Sequence, residues 1–182
     1  MKVYFNFLLL LLSTTSFILL TSCKNDDPEP ENIPELITKV TLKFTPAGGG
    51  AEMIITATDP DGEGVQDIKV DGPINLIKGT QYTLSLDLIN GLYKPGDAGY
   101  NITTEVEEEG EEHQFFFRFS DGIFSSTTGT GNIKDNASST AESINYLDND
   151  VSNIPIGIST SWTSSNTALM DKSFRVLLKH QP

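Results

Sequence analysis

The chain is short of the residues that usually announce a chemistry. Its 182 residues include one cysteine, two histidines and one tryptophan. A single Cys excludes a disulfide scaffold, and the absence of a glycine-every-third repeat or a sustained heptad excludes a collagen and a long coiled coil. Cations are scarce as well: 12 Lys and Arg stand against 25 Asp and Glu, a net charge of −13. Such a surface repels a phosphate backbone, which argues against non-specific nucleic-acid binding. There is no G-x-S-x-G elbow, no H-E-x-x-H pair and no glycine-rich phosphate loop after a strand. A Ser-His-Asp arrangement, whose members lie far apart in sequence, is left open by motif alone, but nothing nominates a substrate and the expectation is a protein that is not an enzyme. What is present suffices for one domain: 37% hydrophobic residues, with 10 Phe and 5 Tyr to fill a core.

The long apolar run is confined to the start. Lys2 precedes Val3 to Leu20, a positive n-region and apolar stretch of secretory type. The run is also close to the ~20 residues needed to span a bilayer. Its end separates the two readings, because Leu20-Thr21-Ser22-Cys23 resembles a bacterial lipobox, in which the Cys is diacylated, then cleaved and N-acylated. The expected organisation is a lipoprotein signal peptide over residues 1–22, lipidation (palmitate-type) at Cys23, an acidic Pro-containing tether over 23–35, and a folded domain over 36–182. Several acyl chains hold firmly at about 0.8 kcal/mol per buried CH₂. Lys24-Asn25-Asp26-Asp27 resembles the acidic export signal of Bacteroidota lipoproteins, which implies the exposed face of the outer membrane. The same residues, with Pro28-Glu29-Pro30-Glu31, also read as a solvated linker, and both can hold.

After Pro34 the apolar pattern has period two. Val40, Leu42 and Phe44 end at Gly48-Gly49-Gly50; Met53, Ile55 and Ala57 end at Asp59-Pro60-Asp61-Gly62. Tyr82, Leu84, Leu86 and Leu88 stop at Asn90-Gly91, and His113, Phe115, Phe117 and Phe119 stop at Asp121-Gly122. Ile156, Ile158 and Trp162 mark a weaker strand, and Phe174, Val176, Leu178 and His180 the last. Short strands with Gly/Asp turns predict an all-β, immunoglobulin-like sandwich of about seven strands. Thr104-Glu105-Val106-Glu107, ending at Gly110, predicts one short crossing helix over about 103–109 with Thr104 in a capping box. Six of the eight residues from Glu105 to Glu112 are Glu; they read as a solvated face or as a cation-binding surface, the former favoured. Residues 125–155 are polar and read as a long loop.

Several stretches together resemble one family. The acidic lipobox exit, Leu42 to Gly50 (LKFTPAGGG), Glu105 to Phe117 (EVEEEGEEHQFFF) and Phe174 to Pro182 (FRVLLKHQP) are similar to an uncharacterised family of Bacteroidota outer-membrane lipoproteins. Members frequently lie beside TonB-dependent receptors, which implies a receptor partner and a place in nutrient uptake. Names implying a type 1 periplasmic-binding fold have been attached to such proteins; this chain has no alternating βαβ pattern to support one.

Three candidate sites stand out. Asp59, Asp61, Glu63 and Asp67 follow the front of a calcium loop, with carboxylates at positions 1, 3, 5 and 9 and Gly64 and Gly62 nearby, though Val70 stands where the bidentate Glu belongs. Calcium is the one cofactor suggested, and none is required; D-x-D-G is equally a good turn. Asp148-Asn149-Asp150 is a weaker fragment of the same kind. His113 and His180 open one strand and close another, so antiparallel pairing would bring both imidazoles, with Glu111 or Glu112, to one end of the core as a Zn²⁺ or Cu²⁺ site. The alternative is two hydrogen-bonded histidines at the core rim. Trp162 and Tyr146 could stack on a sugar, yet a lone Trp is commonly a core anchor in sandwiches. The functional expectation is a non-enzymatic surface lipoprotein acting as an accessory ligand-binding or receptor-docking module, with metal binding or metal relay through the two histidines as the alternative.

Overall fold

A computed structural model of the chain describes residues 35–62, 64–133 and 143–180. The expected signal peptide, Cys23 and the tether up to residue 34 lie outside the described residues, as does Glu63. Among the described residues no helix is long and apolar enough to cross a membrane.

Eight strands and one helix are described. In chain order they are β1 (Lys39–Pro46), β2 (Met53–Thr58), β3 (Lys69–Val70), β4 (Gln81–Ile89), α1 (Ile102–Glu108), β5 (His113–Phe119), β6 (Phe124–Ser126), β7 (Ser159–Ser164) and β8 (Phe174–His180). All pairings are antiparallel, in a six-stranded sheet ordered β3-β2-β1-β4-β7-β6 and a two-stranded sheet β5-β8. This is the expected all-β sandwich with one short helix. Alternation carries it: in β4 Tyr82, Leu84, Leu86 and Leu88 are buried while Gln81 and Asp87 are exposed, because successive side chains point to opposite faces. In β5 the buried set is His113, Phe115, Phe117 and Phe119.

The helix differs from expectation at its start. Asn101, not Thr104, is the cap: its side-chain oxygen accepts from the Thr104 amide, and its NH₂ donates to Thr104 Oγ1 at 2.8 Å. Asn binds the orphan amide of the first turn as well as Thr does, and starting there turns Ile102 and Val106, one helical turn apart, into the core together. The seven residues carry the chain from β4 of one sheet to β5 of the other.

The weak strand expected from Ile156 begins only at Ser159. Gly157, at φ +96°, breaks the extended run, and Asp148 takes up the amides left over, accepting from Gly157 at 2.9 Å and Ser159 at 3.0 Å. Ile156 and Ile158 are still buried. The described parts of the polar connection, 127–133 and 143–158, are seated on the sheets through bridges such as Arg118–Gly131 and Tyr146–Thr160.

The core joins the sheets through aromatic rings. Trp162 on β7 is fully buried and lies 5.4 Å from Phe117, 5.3 Å from Phe119, 4.7 Å from Phe124 and 5.5 Å from Phe174, centroid to centroid. Its indole N–H donates to Thr160 Oγ1 at 2.7 Å, so its one polar atom is satisfied inside.

Gly131 shows how tightly the connection lies on β5. It has φ +99°, and a Cβ there would collide with the Phe117 carbonyl; the neighbouring Asn132 amide donates to that carbonyl at 2.8 Å. Gly96 has φ +94° with open space around it. Gly131→Ala should therefore cost more stability than Gly96→Ala. The first combines left-handed strain with a backbone clash, at about 2–3 kcal/mol; the second meets strain alone, at about 1 kcal/mol. Urea unfolding followed by Trp162 fluorescence checks this, and equal losses would contradict the close approach.

Candidate metal centre

Three remote parts of the sequence meet at one end of the two-stranded sheet. The segment before β1 is fixed by Thr38, whose amide donates to Ile89 O at 3.0 Å and whose Oγ1 accepts from Gly91 N at 2.7 Å. This holds Glu35 near the start of β5. His113, the first residue of β5, is inward by strand parity and its side chain has no solvent exposure. His180, the last residue of β8, is its register partner. The two rings stack, with centroids 4.6 Å apart and planes 17° from parallel.

The hydrogen bonds of His113 define its chemistry. Nδ1 lies 3.0 Å from the carbonyl oxygen of Glu109, the residue that closes α1. A carbonyl can only accept, so Nδ1 carries a proton. Nε2 then faces Glu35 Oε2 at 2.7 Å. A carboxylate also only accepts, so a positive species belongs between those atoms: a second ring proton or a metal ion. His180 Nε2 lies 3.3 Å from Glu112 Oε2, with both side chains nearly half exposed. One ligating atom from each of Glu35, His113 and His180 falls within 4.8 Å of the other two.

The surroundings are crowded with negative charge. Glu105 is held above its ordinary value by burial first, then by the charges of Glu35 and Glu109, with His113 opposing. Glu109 is raised by burial, then by its side-chain hydrogen bond with Glu35 and by the charges of Glu35 and Glu112, again with His113 opposing. The acidic helix is largely the expected solvated face, with Glu107, Glu108 and Glu109 exposed and Glu105 half-buried, but Glu105 and Glu109 also lie close enough to Glu35 to feel its charge.

The structure places the other candidates differently. Asp61 closes its own loop, Oδ2 accepting from Val65 N at 3.0 Å and Gln66 N at 3.3 Å around Gly62 at φ +66°, which is the work of a turn aspartate. Asp59 Oδ1 and Asp61 Oδ1 are shielded from solvent without a partner among the described residues. Asp67 is exposed, and Glu63 lies outside the described residues. Asp150 Oδ1 accepts from Ser152 and Ile154 amides, at 2.9 and 2.7 Å. Asp148 is engaged on Gly157 and Ser159 through both oxygens, while Asp150 Oδ2 is shielded without a partner among the described residues. Glu111 accepts from Ser152 Oγ at 2.7 Å, and Glu112 is the one in contact with His180. Trp162 is a fully buried core anchor and offers no stacking face for a sugar, while Tyr146 is half-buried against the core with its hydroxyl donating to Phe115 O at 2.6 Å. Glu35 is the site residue the sequence did not single out. It sits 78 positions from His113, in a Glu-Pro run with no local signal of a ligand.

For Glu109 the sign of the pH dependence is fixed. A carboxyl held above its ordinary 4.5 in the fold gives stability that is full below the unfolded value and lost as pH rises through the folded one. In the metal-free protein at pH 7, Glu109→Gln should therefore be the more stable, by roughly 0.2–0.5 kcal/mol given its exposure, and the gain should vanish by about pH 4. Urea midpoints at the two pH values measure it; a loss of stability at pH 7 would contradict the crowding.

Compared with known proteins, the chain matches no family model, no curated protein and no solved structure.

Proposed function

We propose that the domain is a non-enzymatic metal-binding module that holds one Zn²⁺ or Cu²⁺ between Glu35, His113 and His180. The observation that carries this reading is the meeting of the three ligating atoms within 4.8 Å from parts of the chain far apart in sequence. Two imidazoles and a carboxylate are a donor set suited to Zn²⁺. The Nδ1–H bond to Glu109 O fixes the tautomer and aims Nε2 at the ion. The ion would replace the proton that the His113–Glu35 contact otherwise needs, and its charge would offset the crowding of Glu105, Glu109 and Glu112. Ligands on one tetrahedral ion stand about 3.3 Å apart, so Glu35 would step back slightly and the half-exposed His180 would turn in.

The module belongs, in this reading, to a lipoprotein anchored through Cys23 at the outer-membrane surface, where it would serve uptake beside a TonB-dependent receptor. The support is the lipobox-like Leu20 to Cys23 and the family resemblance.

Titration of the metal-free full-length protein with Zn²⁺ should show one site per chain, with proton release. Co²⁺ should give a tetrahedral visible spectrum. His180→Ala and Glu35→Gln should each weaken binding by about tenfold or more, with Trp162 fluorescence confirming that both fold. Equal affinity in wild type and variants would overturn the site. Separately, growth with labelled palmitate should mark the wild type and not Cys23→Ser; label in both, or in neither, would overturn the anchor.

A further inference from the structure

The two-stranded sheet has an open side. In β5 the backbone groups of Phe115, Phe117 and Phe119 turn away from β8: Phe115 N–H donates to Ile156 O at 2.6 Å, Phe119 N–H to Thr130 O at 3.0 Å, and Phe117 N–H to Asn132 Oδ1 at 2.8 Å. The ladder to β8 is therefore made by Gln114, Phe116 and Arg118, opposite Lys179, Leu177 and Arg175. By the same alternation the N–H and C=O groups of Phe174, Val176 and Leu178 point outward from β8, and no described residue lies in register on that side. β8 is seven residues long, with no proline to blunt it. A long, unblunted edge is a template for another strand.

The charge on this edge is opposite to that of the molecule. Residues 172–182 contain three of the twelve cations, Lys172, Arg175 and Lys179, and none of the 25 carboxylates. Arg175, Leu177 and Lys179 are exposed on the outward face, with Leu177 at 39% exposure. In a ladder added to the outer edge, these three would occupy the non-hydrogen-bonded pairs, where facing side chains come closest. A second copy of the chain fits poorly: antiparallel pairing about Leu177 would set Arg175 against Lys179 of the other copy, like charges face to face.

From this edge we infer that β8 docks an extended segment of a partner protein that presents an acidic residue, an apolar residue and an acidic residue at alternate positions. Backbone bonds to Val176 and Leu178 supply adhesion, and the carboxylates on Arg175 and Lys179 supply register and selectivity. The inference is independent of the metal site.

The test uses the full-length protein and two labelled synthetic peptides. One repeats Glu-Thr-Val-Thr, the other Lys-Thr-Val-Thr, and binding is read by fluorescence anisotropy at low salt. The acidic peptide should bind at least about tenfold more tightly than the basic one, with affinity falling as salt rises. Arg175→Glu combined with Lys179→Glu should reverse that preference. Val176→Pro removes an outward donor while leaving the β5 ladder intact, and should weaken the acidic peptide with Zn²⁺ affinity unchanged. Equal binding of the two peptides, binding indifferent to the charge reversal, or binding of neither would overturn the inference; so would a dimer in sedimentation that the charge reversal promotes.

Discussion

The contact on which the rest depends is the aromatic seam between the sheets. Two antiparallel strands alone are marginal in water, and β5 with β8 is only such a pair. What holds it is Phe117, Phe119 and Phe174 packed edge-on and tilted against Trp162, Phe124 and Phe44. Ring pairs of this geometry contribute about 0.5–1.5 kcal/mol each beyond their area burial, and several share Trp162. Per contact these match the hydrogen bonds of the ladder, which net about 1 kcal/mol apiece, but the ladder joins β5 only to β8, whereas the rings join the pair to the other sheet. Both proposed sites are set by this seam. The histidines meet at one end of β5 and β8 because the rings further along fix the register, and the β8 edge is presented because the pair's inner face is already committed.

At the polar end the energetics run the other way. A fully buried ring between a carbonyl and a carboxylate is tolerable only when both nitrogens carry something positive, since an unpaired buried acceptor costs about 1–3 kcal/mol. A proton satisfies the His113–Glu35 contact, and its single charge only partly offsets the crowding that raises Glu105 and Glu109. It also engages only one of the two stacked rings. A dication engages both rings and Glu35 through one center and offsets more of that crowding. That asymmetry favours the metal reading over a buried ion pair serving only to hold the chain in place.

How much of this was legible in the sequence can be followed residue by residue. The long strands were, because Tyr82 to Leu88 and His113 to Phe119 alternate without a break and each ends at a Gly-containing turn. The meeting of His113 and His180 was legible too, since both sit at opposite ends of strands that must pair antiparallel for their phenylalanines to share a face. The short strands β3 and β6 were not; two or three residues carry no period. Asn101 and Thr104 are both capping residues within one helical turn, and only the burial of Ile102 decides between them. Glu35 was illegible for a deeper reason. Its role comes from a contact 78 residues away, made possible by Thr38 fixing the entry to β1, and a carboxylate in a Glu-Pro run looks the same whether it is solvated or ligating.

Strand β8 separates its two proposed roles by parity. Side chains at 174, 176, 178 and 180 turn toward the core and the histidine cluster, while those at 175, 177 and 179 face solvent. The backbone does the reverse, so the groups that would bond a docked strand belong to the residues whose side chains reach inward. His180 ends that series, two positions beyond Leu178. The edge that a strand would find and the ring that an ion would find therefore lie on one element but use different groups, backbone for the first and side chain for the second, which lets the two sites be tested apart.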